Sequence, residues 1–426
     1  MIALAPIFRK TYWTLAAAGA FYALALLALT APSLQRHALY AHKVHSGFWH
    51  NVNEPESFGF AKGQITPFNI TASDGETLYV WHVLPLSLYA KHEQSLTIQS
   101  PGLADDITQT IGFDLLTTDP ESRLIINFHG NAGHVGQGWR PDTYRSITTA
   151  YPKTHVITID YRGFGLSSGT PTEAGLITDG VALITWALDV AHIPPERIVI
   201  LGQSLGTAVA SAVALHFADP AAAKTLAPSQ STTAATRREQ ASAKGSIIFA
   251  GVVLVAPFTT LPSLLNTYRI GGIFPVLSPL RAYPYLQRQF SDRIVDTWDT
   301  SARLCAYVKA VGQSGTGSVS EQRSFLQIVH AVDDADISYH QSEMLYAAIS
   351  AAAPKQGGFG RIVVGSQAGV NSPPSITGRG PRLEELDGMH GSKVRLEILK
   401  FGGHNRIVSY APVALAVRRA FAAQDA

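Results

Sequence analysis

The stretch IVILGQSLGTAVASAVALHF, Ile198 to Phe217, decides the fold. Its opening Ile198–Leu201 is apolar and largely β-branched, as a buried strand would be. Thr207–Phe217 is built mainly of Ala, Val and Leu and reads as a helix. Between them stands G-x-S-x-G, as Gly202-Gln203-Ser204-Leu205-Gly206. A strand that turns straight into a helix leaves no room for side chains two residues either side of the turn, where both glycines stand. Such a turn pushes a serine hydroxyl out at the rim of a sheet, as a nucleophile requires. The pattern recurs at Gly165-Leu166-Ser167-Ser168-Gly169. There Tyr161–Gly163 separate it from the preceding strand candidate and Pro171 follows, so it reads as a loop. Ser204 is therefore the candidate nucleophile.

A serine nucleophile needs a base, the base needs an orienting acid, and the oxyanion needs backbone donors. Two histidines beyond Ser204 compete as base. His390 lies in a Gly/Ser/Pro-rich stretch with no strand leading to it. His404 follows the strand candidate Val394–Phe401 through Gly402-Gly403, so it is the expected base. The acid should leave the strand candidate Phe325–Val329, where the chain reads HAVDDADI, His330–Ile337. Composition does not separate Asp333, Asp334 and Asp336. One would fix the imidazole tautomer while the others cap the following helix. The oxyanion donors are expected to be the N–H of Leu205 and that of Asn131, in the loop HGNAGH, His129–His134, after the strand candidate Arg123–Phe128. Zinc held by His129 and His134 is the rival reading of that loop. Their i, i+5 spacing and the lack of a neighbouring acidic ligand count against it, so neither metal nor cofactor is expected.

Outward from these segments, strand-type and helix-type stretches alternate. Further strand candidates are Ile65–Ile70 and Thr77–Leu84, a hairpin about Ser73-Asp74-Gly75, with His155–Asp160 and Gly251–Ala256. Unbroken Val, Ile and Leu runs suit strands covered on both faces, so the expected class is α/β with a mostly parallel sheet flanked by helices. Thr170–Val190 should be one of the helices, with Thr170 as N-cap, Pro171 at the first position and Glu173 closing a capping box. The stretches 219–246, 311–320 and 354–392 are rich in small and polar residues and read as solvated insertions. Pro257–Phe290 is apolar and aromatic with Pro and Gly punctuation. It reads as a small cap that follows the strand Gly251–Ala256 and either lines an acyl-chain pocket or simply packs on the core.

The 426 residues are 46% hydrophobic and 15% charged, the latter well below the ~25% of ordinary soluble proteins. Part of that deficit is local. Thr11–Gln35 carries no charge, and Tyr12–Ala31 is nearly all apolar, close to the ~20 residues needed to span hydrocarbon. Arg9, Lys10, Arg36 and Lys43 flank it, with Tyr12, Trp13 and Tyr40 at interfacial positions. Residues 1–35 are thus expected to be a membrane anchor, 36–63 a linker and 64–426 the body. Asn69-Ile70-Thr71 is a glycosylation sequon, usable if the body faces a lumen. Thirty-three basic against thirty-one acidic residues give a charge of +2 and no footprint for nucleic acid, and the single Cys305 excludes an intrachain disulfide.

In order, HGNAGH, DYRGFGLSSG (Asp160–Gly169), GQSLG, HAVDDADI and FGGHN (Phe401–Asn405) resemble the membrane-anchored α/β-hydrolase-domain proteins. These are the lysophosphatidylserine and monoacylglycerol lipases and their fungal polarity-related relatives. The resemblance runs from about Thr71 to the last residue, insertions aside. It implies an α/β-hydrolase fold with a cap and an N-terminal transmembrane helix. It also implies a Ser204–Asp334–His404 triad, the acid holding the fifth place of the motif that begins at His330. The activity implied is hydrolysis of a lipid acyl ester at a membrane, with the body in the lumen of the endoplasmic reticulum. A depalmitoylating thioesterase or a catalytically silent scaffold of the same fold are the alternatives.

Overall fold

The computed structural model describes residues 6–44, 50–151, 153–228, 246–270, 272–313, 323–353, 361–364, 380–388 and 391–425. Its strands are β1 (Ile65–Thr71), β2 (Thr77–Val83), β3 (Arg123–Phe128), β4 (Thr154–Ile159), β5 (Ile198–Gln203), β6 (Gly251–Val255), β7 (Arg269–Ile270), β8 (Phe274–Pro275), β9 (Phe325–Ala331), β10 (Arg361–Val364), β11 (Arg382–Asp387) and β12 (Lys393–Leu399). Among the described residues, ten form one sheet in the order β1-β2-β4-β3-β5-β6-β9-β12-β11-β10, and β7 and β8 form a separate hairpin. The six strands β4-β3-β5-β6-β9-β12 are parallel, with antiparallel pairs at both edges.

The apolar runs are explained by burial on both faces. Leu124, Ile126, Ile198, Ile200, Val252 and Leu254 enter one core. The alternate Ile125, Val199, Leu201, Val253 and Val255 enter the other. Helices Glu173–Asp189, Leu205–Ala218, Thr300–Gln313 and His340–Ala352 cover the first face. Arg140–Ile147 and Ala411–Asp425 cover the second.

Several expectations need correction. The helix expected over Thr170–Val190 begins at Glu173, and its N-cap is Thr172, whose hydroxyl accepts the Gly175 N–H, rather than Thr170. Pro171 lies outside it, packed where Gly163 has no side chain. Glu173 is drawn from any capping box by Arg303 (Nη2–Oε1 2.6 Å) and by the Trp298 N–H (2.9 Å). The stretch 36–63 is no linker: Tyr40 is fully buried, and Val52, Pro55 and Phe60 are buried too. Its partners are remote in sequence. Tyr40 OH donates to Asp296 (2.8 Å), and the Val52 carbonyl accepts from Tyr79 OH and Trp81 Nε1.

Of the three expected insertions, 229–245, 314–320, 354–360, 365–379 and 389–390 lie outside the described residues. What is described of them is ordered: Asp219 caps a short helix, Pro220–Thr225, and Val311 is buried at the end of Thr300–Gln313. Residues 361–364 and 382–387 are β10 and β11, which lengthen the sheet beyond β12. The first two insertions each join a helix that has returned across the sheet to the start of the next parallel strand, β6 or β9. The expected cap, 257–290, comprises a short helix Leu261–Leu265, the β7–β8 hairpin and a helix Pro284–Ser291. The helix Pro6–Ala28 contains the 21-residue run Phe8–Ala28, whose most apolar 18-residue window has a mean hydropathy of 1.4, long and apolar enough to cross a membrane.

Candidate active site

β5 runs directly into the helix Leu205–Ala218 through one residue, Ser204, whose φ of +52° and ψ of −119° belong to neither element. Such a backbone costs about 1–3 kcal/mol for a residue with a side chain and persists only where neighbours enforce it. They do so here by close approach. A Cβ at Gly206 would lie 2.0 Å from the Phe128 carbonyl oxygen, and one at Gly202 2.3 Å from that of Gly206. The Ser204 N–H is tied to Val255 O at 2.9 Å.

β9 and β12 are parallel neighbours in register, Ala331 opposite Leu399, so the chain leaves both at the rim where it leaves β5. Asp334 follows one strand and His404 the other. Ser204 Oγ lies 3.0 Å from His404 Nε2, and His404 Nδ1 lies 2.8 Å from Asp334 Oδ2. The carboxylate accepts a hydrogen bond from Nδ1–H, which leaves Nε2 as acceptor for the hydroxyl. Asp334 Oδ1 accepts the N–H groups of Asp336 (2.9 Å) and Ile337 (2.8 Å). Asp333, the competing acid, accepts the Gly403 N–H instead (2.8 Å) and so holds the turn that carries His404. Asp336 accepts the Gly272 N–H from the cap hairpin (3.1 Å).

A second imidazole, which sequence reasoning missed, completes the acid's surroundings. His330 is fully buried, with Nε2 3.2 Å from Asp334 Oδ2 and 3.1 Å from Ile337 O. Both are acceptors, so Nε2 carries the proton, and Nδ1 accepts from Ser342 Oγ (2.6 Å). Burial alone would raise the Asp334 pKa, but bonds from His330 and His404 hold it well below the usual carboxylate range. Burial opposes the charged form of His404, yet the bond to Asp334 and the charges of Asp334 and Asp336 raise its pKa above the ordinary value. In the sequence His330 serves only as the first residue of the motif from which Asp334 is counted, and nothing there marks its imidazole as a partner of that acid.

Leu205 opens its helix, so its N–H is one that helix geometry leaves without an i−4 partner. The HGNAGH loop lies against the elbow: a Cβ on Gly130 would be 3.4 Å from Ser204 Cβ. The loop's shape is imposed by Arg140, also missed from sequence. Its buried guanidinium donates to the carbonyls of Gly130 (2.9 Å), Asn131 (3.0 Å), Ala132 (2.7 Å) and His134 (2.5 Å). Turning those carbonyls inward to one cation leaves the loop's N–H groups to face elsewhere. Those of Ala132 and Gly133 donate to Tyr40 O and Val44 O, and just past the loop Val135 donates to Asp160, a carboxyl that burial pushes up to about 6.

His129 and His134, the rival zinc pair, are engaged with the loop backbone. His129 Nδ1 donates to Gly130 O (2.7 Å), and His134 Nδ1 accepts the Gly136 N–H (3.2 Å). Among the described residues no three His, Cys, Asp or Glu side chains gather as a metal site. His390 lies outside the described residues.

Comparison with known proteins bears on the fold. Residues 123–243 match the family described as the alpha/beta hydrolase fold. The lysophosphatidylserine lipase ABHD12 of Danio rerio is 26% identical over 219 residues, 50% of this chain and 49% of that protein. That of Mus musculus is 28% identical over 209 residues, 48% of each. A Salmonella typhi protein, YfhR, is 40% identical over 91 residues, 20% of this chain and 29% of its own. The chain thus spans about half the length of the lipases it matches. Among solved structures, an alpha-beta hydrolase from Vibrio vulnificus covers 88% of this chain and 87% of its own at 11% identity and a TM-score of 0.49. With a matching family segment across β3 and β5, strand order 1-2-4-3-5-6 ahead of β9 and β12, and a serine at the β5 turn, the chain has the α/β-hydrolase fold.

Proposed function

We propose that this protein is a membrane-anchored serine hydrolase that cleaves acyl esters of lipids, a monoacylglycerol or a lysophospholipid being the substrate class. Ser204 is the nucleophile, His404 the general base and then acid, Asp334 the orienting carboxylate, and the Leu205 and Asn131 amides the oxyanion donors. The observation that carries the reading is the relay of 3.0 and 2.8 Å from hydroxyl through imidazole to carboxylate, on a serine held at positive φ.

His404 Nε2 takes the Ser204 proton as Oγ bonds to the acyl carbon, and the carbonyl electrons move onto an oxygen facing the two amides. Collapse expels the alcohol, which receives the proton from His404. Water then gives a proton to His404 and attacks the acyl-enzyme, freeing the acid and restoring the serine. Asp334 stays ionised throughout, in keeping with its depressed pKa. The chemistry needs no cofactor. Support for a lipid substrate is threefold: the relatives named as lysophosphatidylserine lipases, the apolar helix Phe8–Ala28 as single-pass anchor, and a cap that reaches the acid loop.

The reading is tested by labelling membranes with a fluorophosphonate probe. Wild type should label and Ser204→Ala should not, and the wild type should release fatty acid from lysophosphatidylserine or monoacylglycerol. A folded wild type that takes no label overturns it. A lumenal body in the endoplasmic reticulum is the favoured topology. Asn69 is exposed on the edge strand β1, within reach of glycosylation from that side, so endoglycosidase H should shift the wild type and leave Asn69→Gln unmoved.

A further inference from the structure

The segment that follows the apolar helix grips the candidate oxyanion loop. Asn131 Nδ2 donates to Leu39 O (2.6 Å), the Ala132 N–H to Tyr40 O (3.2 Å) and the Gly133 N–H to Val44 O (3.0 Å). Asn131 also folds its own Oδ1 back onto the Ala132 N–H (2.8 Å), so its side chain links the segment to the turn. The segment is itself fixed at several points. Tyr40 is fully buried between Asp296 and Trp298 Nε1 (2.8 and 3.3 Å), and it packs edge-on to Phe164. Gln35 bonds Arg293 O and the Val295 N–H, and Lys43 Nζ donates to Gly163 O. Upstream, Tyr22 OH donates to Val276 O of the cap, and Tyr22, Ala25, Leu26 and Leu29, one helix face, are half-buried.

We propose that residues 39–44 are a positioning element for catalysis, holding loop 130–133 from outside while Arg140 holds it from within. The stretch that tethers the body to the bilayer thereby also sets the geometry in which the Asn131 amide meets the oxyanion. This rests on the serine-hydrolase reading above. The physical basis is that an oxyanion donor is useful only when fixed before the charge appears. The loop's glycines give it no stiffness of its own, so external bonds must supply it.

The test uses the full chain in detergent micelles, with p-nitrophenyl butyrate as substrate and an alkyl trifluoromethyl ketone as a probe that forms a charged tetrahedral adduct with the serine. Asn131 is exposed, so Asn131→Ala should fold with an unchanged Tm and keep its backbone amide. Its kcat should fall roughly 10-fold, short of the ~10²–10³ for loss of a whole donor. KM should hold within about 2-fold, and the ketone's inhibition constant should rise by the factor lost from kcat/KM. Tyr40→Ala should give the same pattern in kcat, KM and ketone affinity with a lowered Tm, since it empties a buried site, and Tyr40→Phe, which keeps the packing, should largely restore kcat. The double variant Asn131→Ala/Tyr40→Ala should be no slower than the worse single, because both loosen one clamp. Ketone affinity unchanged in Asn131→Ala, or losses that multiply in the double variant, would overturn the inference. A wild type that neither hydrolyses the ester nor binds the ketone would instead remove the reading on which it rests.

Discussion

Two pentapeptides of one pattern, 165–169 and 202–206, lead opposite structural lives. In the first, both hydroxyls are consumed by the fold. Ser167 Oγ donates to Asp160 O (2.6 Å) and accepts the Tyr79 N–H (2.8 Å), while Ser168 Oγ accepts the Thr77 N–H (2.8 Å) and contacts Glu76. They staple a loop to the β2 strand. In the second, Ser204 stands between strand and helix, and its hydroxyl meets an imidazole. A G-x-S-x-G motif therefore carries chemistry only through what precedes it and what faces it.

The largest break of that comparison is Ser204→Ala, expected to lower kcat roughly 10⁶-fold with Tm unchanged. Ser167→Ala should do the reverse. Leaving the buried Tyr79 N–H without its partner should cost about 1–3 kcal/mol of stability, with kcat untouched. Ester-hydrolysis kinetics beside thermal melts read both. Next, Asp334→Asn should lower kcat about 10⁴-fold through the wrong imidazole tautomer. Asp333→Asn keeps an acceptor for the Gly403 N–H, so its turnover should stay close to wild type, and the two rates measured side by side decide which carboxylate serves the base. Gly206→Ala drives a Cβ into the Phe128 carbonyl and should cost about 3 kcal/mol or prevent folding. Gly169→Ala meets only the movable Glu76 side chain and should cost about 1 kcal/mol for its positive φ; urea melts compare them.

The smallest effect is on pH. A protonated His404 cannot act as base, and its pKa is raised, so the acid limb of kcat/KM should lie above the ~6.5 of free imidazole. Removing the Asp336 charge, in Asp336→Asn, removes one cause of the rise and should move that limb to lower pH. A limb that stays in place assigns the rise to Asp334 alone.

The parallel sheet and the elbow were legible because both are local. Runs such as Ile198–Leu201 announce strands buried on two faces, and glycines spaced about Ser204 announce a turn. Composition does not separate Asp334 from Asp333, and only the motif resemblance points to Asp334; the fold supplies the physical reason, since adjacent carboxylates differ in direction and Asp333 turns to the Gly403 N–H. The start of the helix after Gly169 was misread because Thr170 and Thr172 are equally good caps in sequence, and the loop ahead of them, with Pro171 against Gly163, decides between them. Arg140, His330 and Tyr40 escaped for one common reason. Each acts through partners that lie in other elements or in loop backbone, and no short-range pattern encodes a buried cation or imidazole.

The two connections that enter β6 and β9 attach where those strands begin, across the sheet from Ser204 and His404. The loop-closure cost of chain added there is about 0.6 kcal/mol for each doubling of length. A short epitope spliced into the connection before β6 or before β9 enters at the sheet edge opposite the one where Ser204 and His404 stand, and the tagged protein should turn over at the untagged rate. The fold has in effect separated the workbench from the storage shelf, and descendants of this chain are free to lengthen the shelf.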